Sequence, residues 1–328
     1  VFDSDDNVGV FYCANCENIT LRNLEIKDNY YGVLLKNTRN SSIENISVND
    51  CRYGVYLPYS ENNSLISNTF KNNNNGAVSS YENSGKNIFE NNVISDNNTG
   101  IQLNRNRESM IRNNSLSFND SAIKISDSSK NVIENNQIFE NEKGIDFEYC
   151  PGENIFRDNT FSKNKYGVEG FHCGIRSNEI YHNNFIDNNN DFYSFYFLEL
   201  GSEGNYWNRH DTSDEGCYDN DNNGICDSPY IFSGGKGGKD ESPWTKENGW
   251  KKSGYSSVAF LPGIQSSRLY KEHLFDEDRL WELTNRNEDV KDLYLNPDGT
   301  SIDENIYTRD IIDEAYFDNV YKKFMLSM

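Results

Sequence analysis

Apolar residues recur in this chain with two periods at once. Between Lys86 and Gly167 they alternate with polar residues over short stretches. The stretches themselves come almost four times, as KNIFENNVISDNNTG, ESMIRNNSLSFNDSA, KNVIENNQIFENEKG and ENIFRDNTFSKNKYG. They close on Gly100, Ala122, Gly144 and Gly167, in steps of 22, 22 and 23 residues. Upstream the same small-residue marker falls at Gly76, Gly54, Gly32 and Gly9, and downstream the pattern fades near Leu200. A period of 22–24 residues is too short for paired-helix repeats and suits one turn of a parallel β-solenoid. About eight coils are predicted, a stack roughly 38 Å long at about 4.8 Å per rung.

After each marker the apolar residues come in pairs separated by one residue: Val33 and Leu35, Val55 and Leu57, Ile101 and Leu103, Ile123 and Ile125, Ile145 and Phe147. Period two places both members of a pair on one face of a strand. A second apolar position recurs at Ile19, Ile43, Leu65, Ile88, Met110, Val132 and Ile155, and a third at Phe70, Ile94, Leu116, Ile138 and Phe161. Three inward faces per turn predict a three-sided tube with a dry core. Asn68, Asn92, Asn114, Asn136 and Asn159 each precede the third position by two residues, at a corner between strands. Asn tolerates a left-handed backbone there, and identical amides stacked from coil to coil can bond to one another. So much Asn could also mark a disordered tract, but a disordered tract has no reason to keep its apolar residues in register.

The pattern NxIxxNxI with a terminal YGI or YGV resembles the right-handed parallel β-helix repeats of the pectate-lyase-like superfamily, closest to the periplasmic, copper-site NosD-like group. The resemblance covers residues 1–245. It implies an all-β, right-handed parallel β-helix and leaves function open, because such repeats serve lyases, glycosidases, epimerases, adhesins and plain stalks.

Charge narrows the partners. The 328 residues carry a formal net charge of −21, which argues against nucleic acid or an anionic membrane surface. No apolar run approaches the ~20 residues needed to span a bilayer. The chain opens at Val1 inside a coil, which reads as a fragment of a longer, exported protein. Seven cysteines point the same way. Cys150 and Cys173 each lie six residues after a marker and should face each other on adjacent rungs, Cys217 and Cys226 bracket an acidic loop, and Cys13 and Cys16 form a CxxC that reads as a local bridge or free thiols. An extracytoplasmic location is the expectation.

Beyond Leu200 the spacing changes. In DNDNNGICD, Asp219, Asp221 and Asn223 stand at alternate positions, followed by Gly224, then Ile225 with a backbone carbonyl to offer, and Asp227. Calcium loops need oxygens at that alternation and a Gly where the chain turns sharply, so a structural Ca2+ is expected. A metal-free acidic turn is the competing reading. The NosD-like resemblance adds a tail with a Trp segment at Asn205 to Trp207 and DxPY at Asp227 to Tyr230, implying a cap over residues 205–232 that closes the solenoid of residues 1–204. Residues 233–254, rich in Gly, Lys and Ser, read as a linker. In residues 255–328 a buried strand is predicted over Tyr255 to Leu261, and helical spacing over Asp276 to Leu283 and Tyr307 to Phe324. VAFLPGIQSSRLY with LWE and IYTRDIIDE resembles the opening of a lecithin:cholesterol acyltransferase-like α/β-hydrolase. That resemblance implies oxyanion-hole amides at Ile264 or Gln265, and no GxSxG nucleophile elbow occurs in the chain.

Candidate chemistry on the solenoid lies on outward strand positions. Phe11, Leu34, Tyr56 and Val78 are predicted to form an exposed stripe that binds sugar rings or a partner surface, unless a terminal segment covers it. Gln102, Lys124, Asp146 and Glu169 follow, with the two carboxylates one rung apart and suited to acid/base work, or to plain solvation. The favoured function is an extracellular recognition or spacer module for a polysaccharide or cell-surface glycan, attached to a lipase-like domain. The rivals are a polysaccharide lyase or glycoside hydrolase working at Lys124, Asp146 and Glu169, and a bare stalk.

Overall fold

The computed structural model describes residues 11–149, 152–170, 178–194, 198–200, 203–232 and 234–251, and the backbone of the strands Ser267–Glu272, Glu277–Arg279 and Ile306–Ile311. Residues 1–250 and 251–328 form two separate compact units. In the first, the chain winds through three parallel sheets. One has ten strands running from Phe11–Ala14 to Gly234–Gly235, one has eight from Thr20–Arg22 to Glu179–Tyr181, and one has nine from Glu25–Lys27 to Tyr206–Trp207. Among the described residues the only helical turn is the 3-10 segment Ser213–Glu215. The predicted solenoid of about eight coils is therefore present.

Apolar columns from all three sheets line its interior. Val33, Val55, Val78, Ile101, Ile123 and Ile145 stack through the first sheet, and Phe70, Ile94, Leu116, Ile138 and Phe161 through the third, all buried. The second column departs from expectation. Ile43 and Leu65 are inward, but they are followed by Phe89, Ile111, Ile133 and Phe156, not by Ile88, Met110, Val132 and Ile155. At the start of the column Leu21, not Ile19, pairs with Ile43. These strands are three residues long with a single inward position, so two adjacent apolar residues leave the parity undecided in the sequence.

A second correction concerns the fourth coil. Cys51 and Asn73 are matched 22 residues apart, whereas Tyr53 pairs with Gly76 at 23, so the turn at 74–75 holds one extra residue. Ala77, not Gly76, thus takes the marker place. Another residue enters at Glu82 and Asn83, both left-handed. The marker is small because the next coil's backbone passes close by: a Cβ on Gly100 or Gly144 would meet the carbonyl of Ala122 or Gly167.

The corners carry the stacked amides. Asn68, Asn92, Asn114, Asn136, Asn159, Asn183 and Asn205 form one buried column, each Nδ2 donating to the Oδ1 of the next at 2.9–3.0 Å. Asn73, Asn97, Asn119, Asn141, Asn164 and Asn188 form a parallel one. The left-handed residue is not the stacked Asn but its predecessor: Ser67, Asn91, Asn113, Asn135 and Asp158 all have φ between 54° and 57°.

At the far end Trp207 continues the third column by stacking on Phe185, with centroids 4.3 Å apart, and Tyr230 and Phe232 stack on Trp207. The expected linker is instead part of this body through residue 250. Gly234–Gly235 joins the first sheet, and Gly238–Asp240 pairs with Leu198–Leu200 and Tyr230–Phe232. Cys217 is bridged to Cys226 and Cys13 to Cys16, with Cα separations of 4.9 and 6.0 Å. Cys150 and Cys173 lie outside the described residues. Cys51 is free and buried, and burial pushes its thiol up to about 11, away from thiolate reactivity.

In the second unit Ser267–Glu272 lies between Glu277–Arg279 and Ile306–Ile311 in an antiparallel sheet. The helices expected over Asp276 to Leu283 and from Tyr307 therefore give way to strands where they are described. β-Branched and aromatic residues such as Ile306, Tyr307 and Thr308 favour the extended form. The remainder of those spans and Tyr255 to Leu261 lie outside the described residues.

The amide columns predict a graded stability effect. Asn136 donates to Ile111 O, Glu134 O and Asn159 Oδ1 and accepts from the backbone and side-chain nitrogens of Asn114. Replacing Asn136 by Ala should destabilise by about 2–4 kcal/mol, because several buried polar groups lose partners together. Asn135→Ala should cost about 1 kcal/mol, the price of an L side chain without amide chemistry in a left-handed corner. Denaturant unfolding of the two variants checks the ranking.

Candidate functional site

Side chains opposite the apolar column of the first sheet form one outward column. The register makes it Tyr12, Leu34, Tyr56, Ser79, Gln102, Lys124, Asp146, Glu169 and Tyr193. Leu34 and Tyr56 stand where the sequence placed them. Phe11 and Val78 do not: Phe11 pairs with Val33 and Val78 with Val55, so both belong to the inward column, and Val78 is 1% exposed. Both misplacements come from counting from a glycine one residue too early, Gly9 and Gly76.

The aromatic half of the face is larger than the sequence stripe suggested. Tyr30, Tyr31, Tyr53, Tyr56 and Tyr81 make a continuous chain of ring contacts with centroid separations of 4.6–5.6 Å, and Tyr12 lies 56% exposed at its outer end. The Arg52 guanidinium sits over the Tyr30 ring at 4.8 Å, and Asn75 Nδ2 donates to the Tyr53 hydroxyl. Burial, reinforced by neighbouring Glu82 and tyrosines, holds the Tyr56 phenol well above its ordinary value, so it stays a neutral donor. The sequence did carry the signal: Tyr31 and Tyr53 occupy the same place in the repeat, one before Gly32 and Gly54.

Four rungs on from Tyr56 the column turns acidic. Asp146 and Glu169 pair in register and are only 3% and 4% exposed, although they project from the outer side of the sheet. Lys143 Nζ lies 3.3 Å from Asp146 Oδ2 and 2.6 Å from Glu169 Oε2, and Ser121 donates to Asp146 Oδ2 at 3.0 Å. Burial draws the Lys143 ammonium down, but its bond to Glu169 and the attraction of both carboxylates outweigh this and hold it above its ordinary value. Lys124 is not part of the acid pair, because its Nζ is 2.8 Å from Glu148 Oε1. Lys143, which the sequence gave no reason to single out, takes that place from the start of the same strand as Asp146.

The loop proposed for calcium folds onto its own amides. Asp219 accepts from the backbone of Asn223 and Gly224, Asn223 Oδ1 from Ile225 N, and Asp227 Oδ2 from Asn220 N. Asp221 accepts from Asn223 as well. Among the described residues no group of three or more His, Cys, Asp and Glu is gathered as a metal would require. Ile264 and Gln265 lie outside the described residues.

Residues 79–223 match the family described as periplasmic copper-binding protein (NosD), and residues 4–116 match the right handed beta helix region. Together with the parallel solenoid, these matches make the fold a right-handed parallel β-helix. Among solved structures the chain is similar to the A-module of mannuronan C-5 epimerase from Azotobacter vinelandii, with a TM-score of 0.48 and 14% identity over 55% of this chain and 56% of that one. It is also similar to the tailspike protein of E. coli bacteriophage HK620 in complex with pentasaccharide, with a TM-score of 0.36 and 12% identity over 54% and 44%. The chain thus spans about half the length of these structures. No curated protein matches it. Copper does not fit the described residues. Cys13 is tied to Cys16, both ring nitrogens of His210 engage carbonyls, and no group of His, Cys and carboxylates is gathered around His182 among the described residues. No helix among the described residues is long and apolar enough to cross a membrane.

The acid pair predicts unequal effects of removing the two lysines. Lys143→Ala leaves two buried carboxylates uncompensated and should destabilise by about 3–5 kcal/mol. Lys124→Ala breaks a more exposed pair and should cost under about 1 kcal/mol. Thermal unfolding of the two variants at pH 7 distinguishes them, and equal losses would contradict the assignment.

Proposed function

We propose that the β-helix is an extracytoplasmic carbohydrate-recognition module, which binds an extended glycan along the outer face of its first sheet. The observation that carries the reading is the alignment, on one outward column, of Tyr56, around which the tyrosine platform gathers, and a buried acid pair. Amphipathic rings suit the apolar faces of sugars, their hydroxyls and Asn75 supply hydrogen bonds, and the first-sheet column gives a polymer a track parallel to the solenoid axis. The bridges Cys13–Cys16 and Cys217–Cys226 support an oxidising compartment, and the net charge of −21 supports a non-nucleic-acid partner.

A catalytic reading is favoured by one observation: Asp146 and Glu169 are carboxylates on neighbouring rungs, and glycoside hydrolysis uses such a pair. It would use Lys143 in place of Lys124. The segment Asp219 to Asp227 is proposed to take a structural Ca2+ through Asp219, Asp221, Asn223, the Ile225 carbonyl and Asp227. The lipase-like resemblance of residues 255–328, with Ile264 or Gln265 as oxyanion donors, remains a separate proposal that a GxSxG segment beyond Met328 would support.

On a glycan array the chain should bind at least one extended oligosaccharide, and Tyr56→Ala should weaken that binding about tenfold. Binding unaffected by Tyr56→Ala would remove the tyrosine platform from the account. Product release from the bound glycan, lost in Asp146→Asn, would establish the catalytic reading, whereas binding without turnover leaves recognition alone. Chelation with EDTA should lower the melting temperature, and Asp221→Ala should abolish that response. An unchanged melt on chelation counts against calcium.

A further inference from the structure

The acid pair is under-compensated. Asp146 and Glu169 bring two carboxylates whose side chains are 5% and 6% exposed, and the one ammonium between them belongs to Lys143. Lys124, the next cation on the column, is committed to Glu148. Among the described residues one negative charge is left over at a nearly buried position. Among the described residues Asp146 Oδ1 is buried with no hydrogen-bond donor, whereas Glu169 Oε2 has the Lys143 ammonium at 2.6 Å. A buried acceptor without a donor and an unbalanced buried charge both call for the same thing, a cation that carries N–H groups.

The rest of the column excludes the opposite chemistry. A polyanionic glycan needs free cations, yet Lys124 and Lys143 are both engaged by carboxylates, and Lys165 at the rim pairs with Glu142. The aromatic half attracts cations as well, as Arg52 over the Tyr30 ring illustrates. Tyr56 and Asp146 are four rungs apart, about 19 Å along the axis, so one extended glycan can reach both.

We propose that the Asp146–Glu169 pair receives the ammonium group of an amino sugar, in a glycan whose other rings lie on the tyrosines. This rests on the carbohydrate reading above and adds the charge class of the ligand. A primary ammonium matches the donor geometry that Lys143 already displays between the two carboxylates. An N-acetylated sugar offers one amide N–H and no charge, and a uronic acid brings a further anion to the acid pair.

The test is calorimetric titration of the full chain with glucosamine oligomers, N-acetylglucosamine oligomers and oligogalacturonate of equal length, and with CaCl2 alone. Glucosamine oligomers should bind at least about tenfold more tightly than N-acetylated ones, and the gap should shrink to within about threefold in Asp146→Asn and in Glu169→Gln. Circular dichroism confirms that each variant is folded, and either variant suffices. Preference for the N-acetylated or the acidic oligomers overturns the amino-sugar assignment and leaves carbohydrate recognition standing. Calcium binding that is lost in Asp146→Asn overturns it in favour of a metal site. If none of these or any arrayed glycan binds, the carbohydrate reading and this inference fall together.

Discussion

A parallel solenoid must satisfy its corners, and here the corners are satisfied by buried asparagines. At each rung a strand ends, the chain turns through a left-handed residue, and the backbone amide of the next residue would be left inside the wall without a partner. The Asn of the following coil accepts from that amide and from the Asn side chain below it, as Asn136 Oδ1 does for Asn114. It also donates back to a carbonyl of the preceding coil, as Asn136 does to Ile111. Neither Asp, which lacks donors, nor Leu, which lacks both functions, can do this. The columns are directional, each Nδ2 pointing to the next coil, so the last one needs an acceptor. Asp240 supplies it: its Oδ2 accepts from Asn205 N and Nδ2 and from Trp207 Nε1. Burial raises the carboxyl of Asp240, and likewise that of Asp191, which receives Asn188 Nδ2 and the Tyr230 hydroxyl.

That constraint shapes the outer face. Amide columns at the corners hold successive coils in register, so strand positions stack without drift and a residue type repeated at one place becomes a straight column. The extra residues of the fourth coil are confined to turns, at 74–75 and at Glu82 and Asn83, and the strands on either side stay aligned. Tyr56 of the tyrosine platform and the acid pair therefore share one line although they are separated by several coils. Their chemistry is independent of the core: outward residues are released from packing and free to carry function.

Much of the fold was legible because a solenoid repeats its logic each turn. The first and third apolar columns, the amide stacking and the Cys217–Cys226 bridge follow from spacing alone. Parity failed where two apolar residues adjoin, as at Ile88 and Phe89, because a three-residue strand has no second inward residue to vote. Register failed at Gly9 and Gly76, glycines that mimic a marker one place early, and this put Phe11 and Val78 on the wrong face. Residues 233–254 read as a linker because Gly and Lys dominate, yet Asp240 and Trp244, which lie within them, tie the chain to the last coil. The acid pair was visible as two letters in register. Lys143 was not, since nothing in the sequence says that a lysine three residues earlier folds across both carboxylates.

The most direct test of this account is amide hydrogen exchange across the solenoid. If the asparagine columns bind the coils into one cooperative body, the backbone amides of Asn114, Asn136 and Asn159 should be protected to a similar degree and exchange together with the inward strands at Ile123 and Ile145. Rapid exchange at those corner amides, with protection confined to the strands, would contradict it.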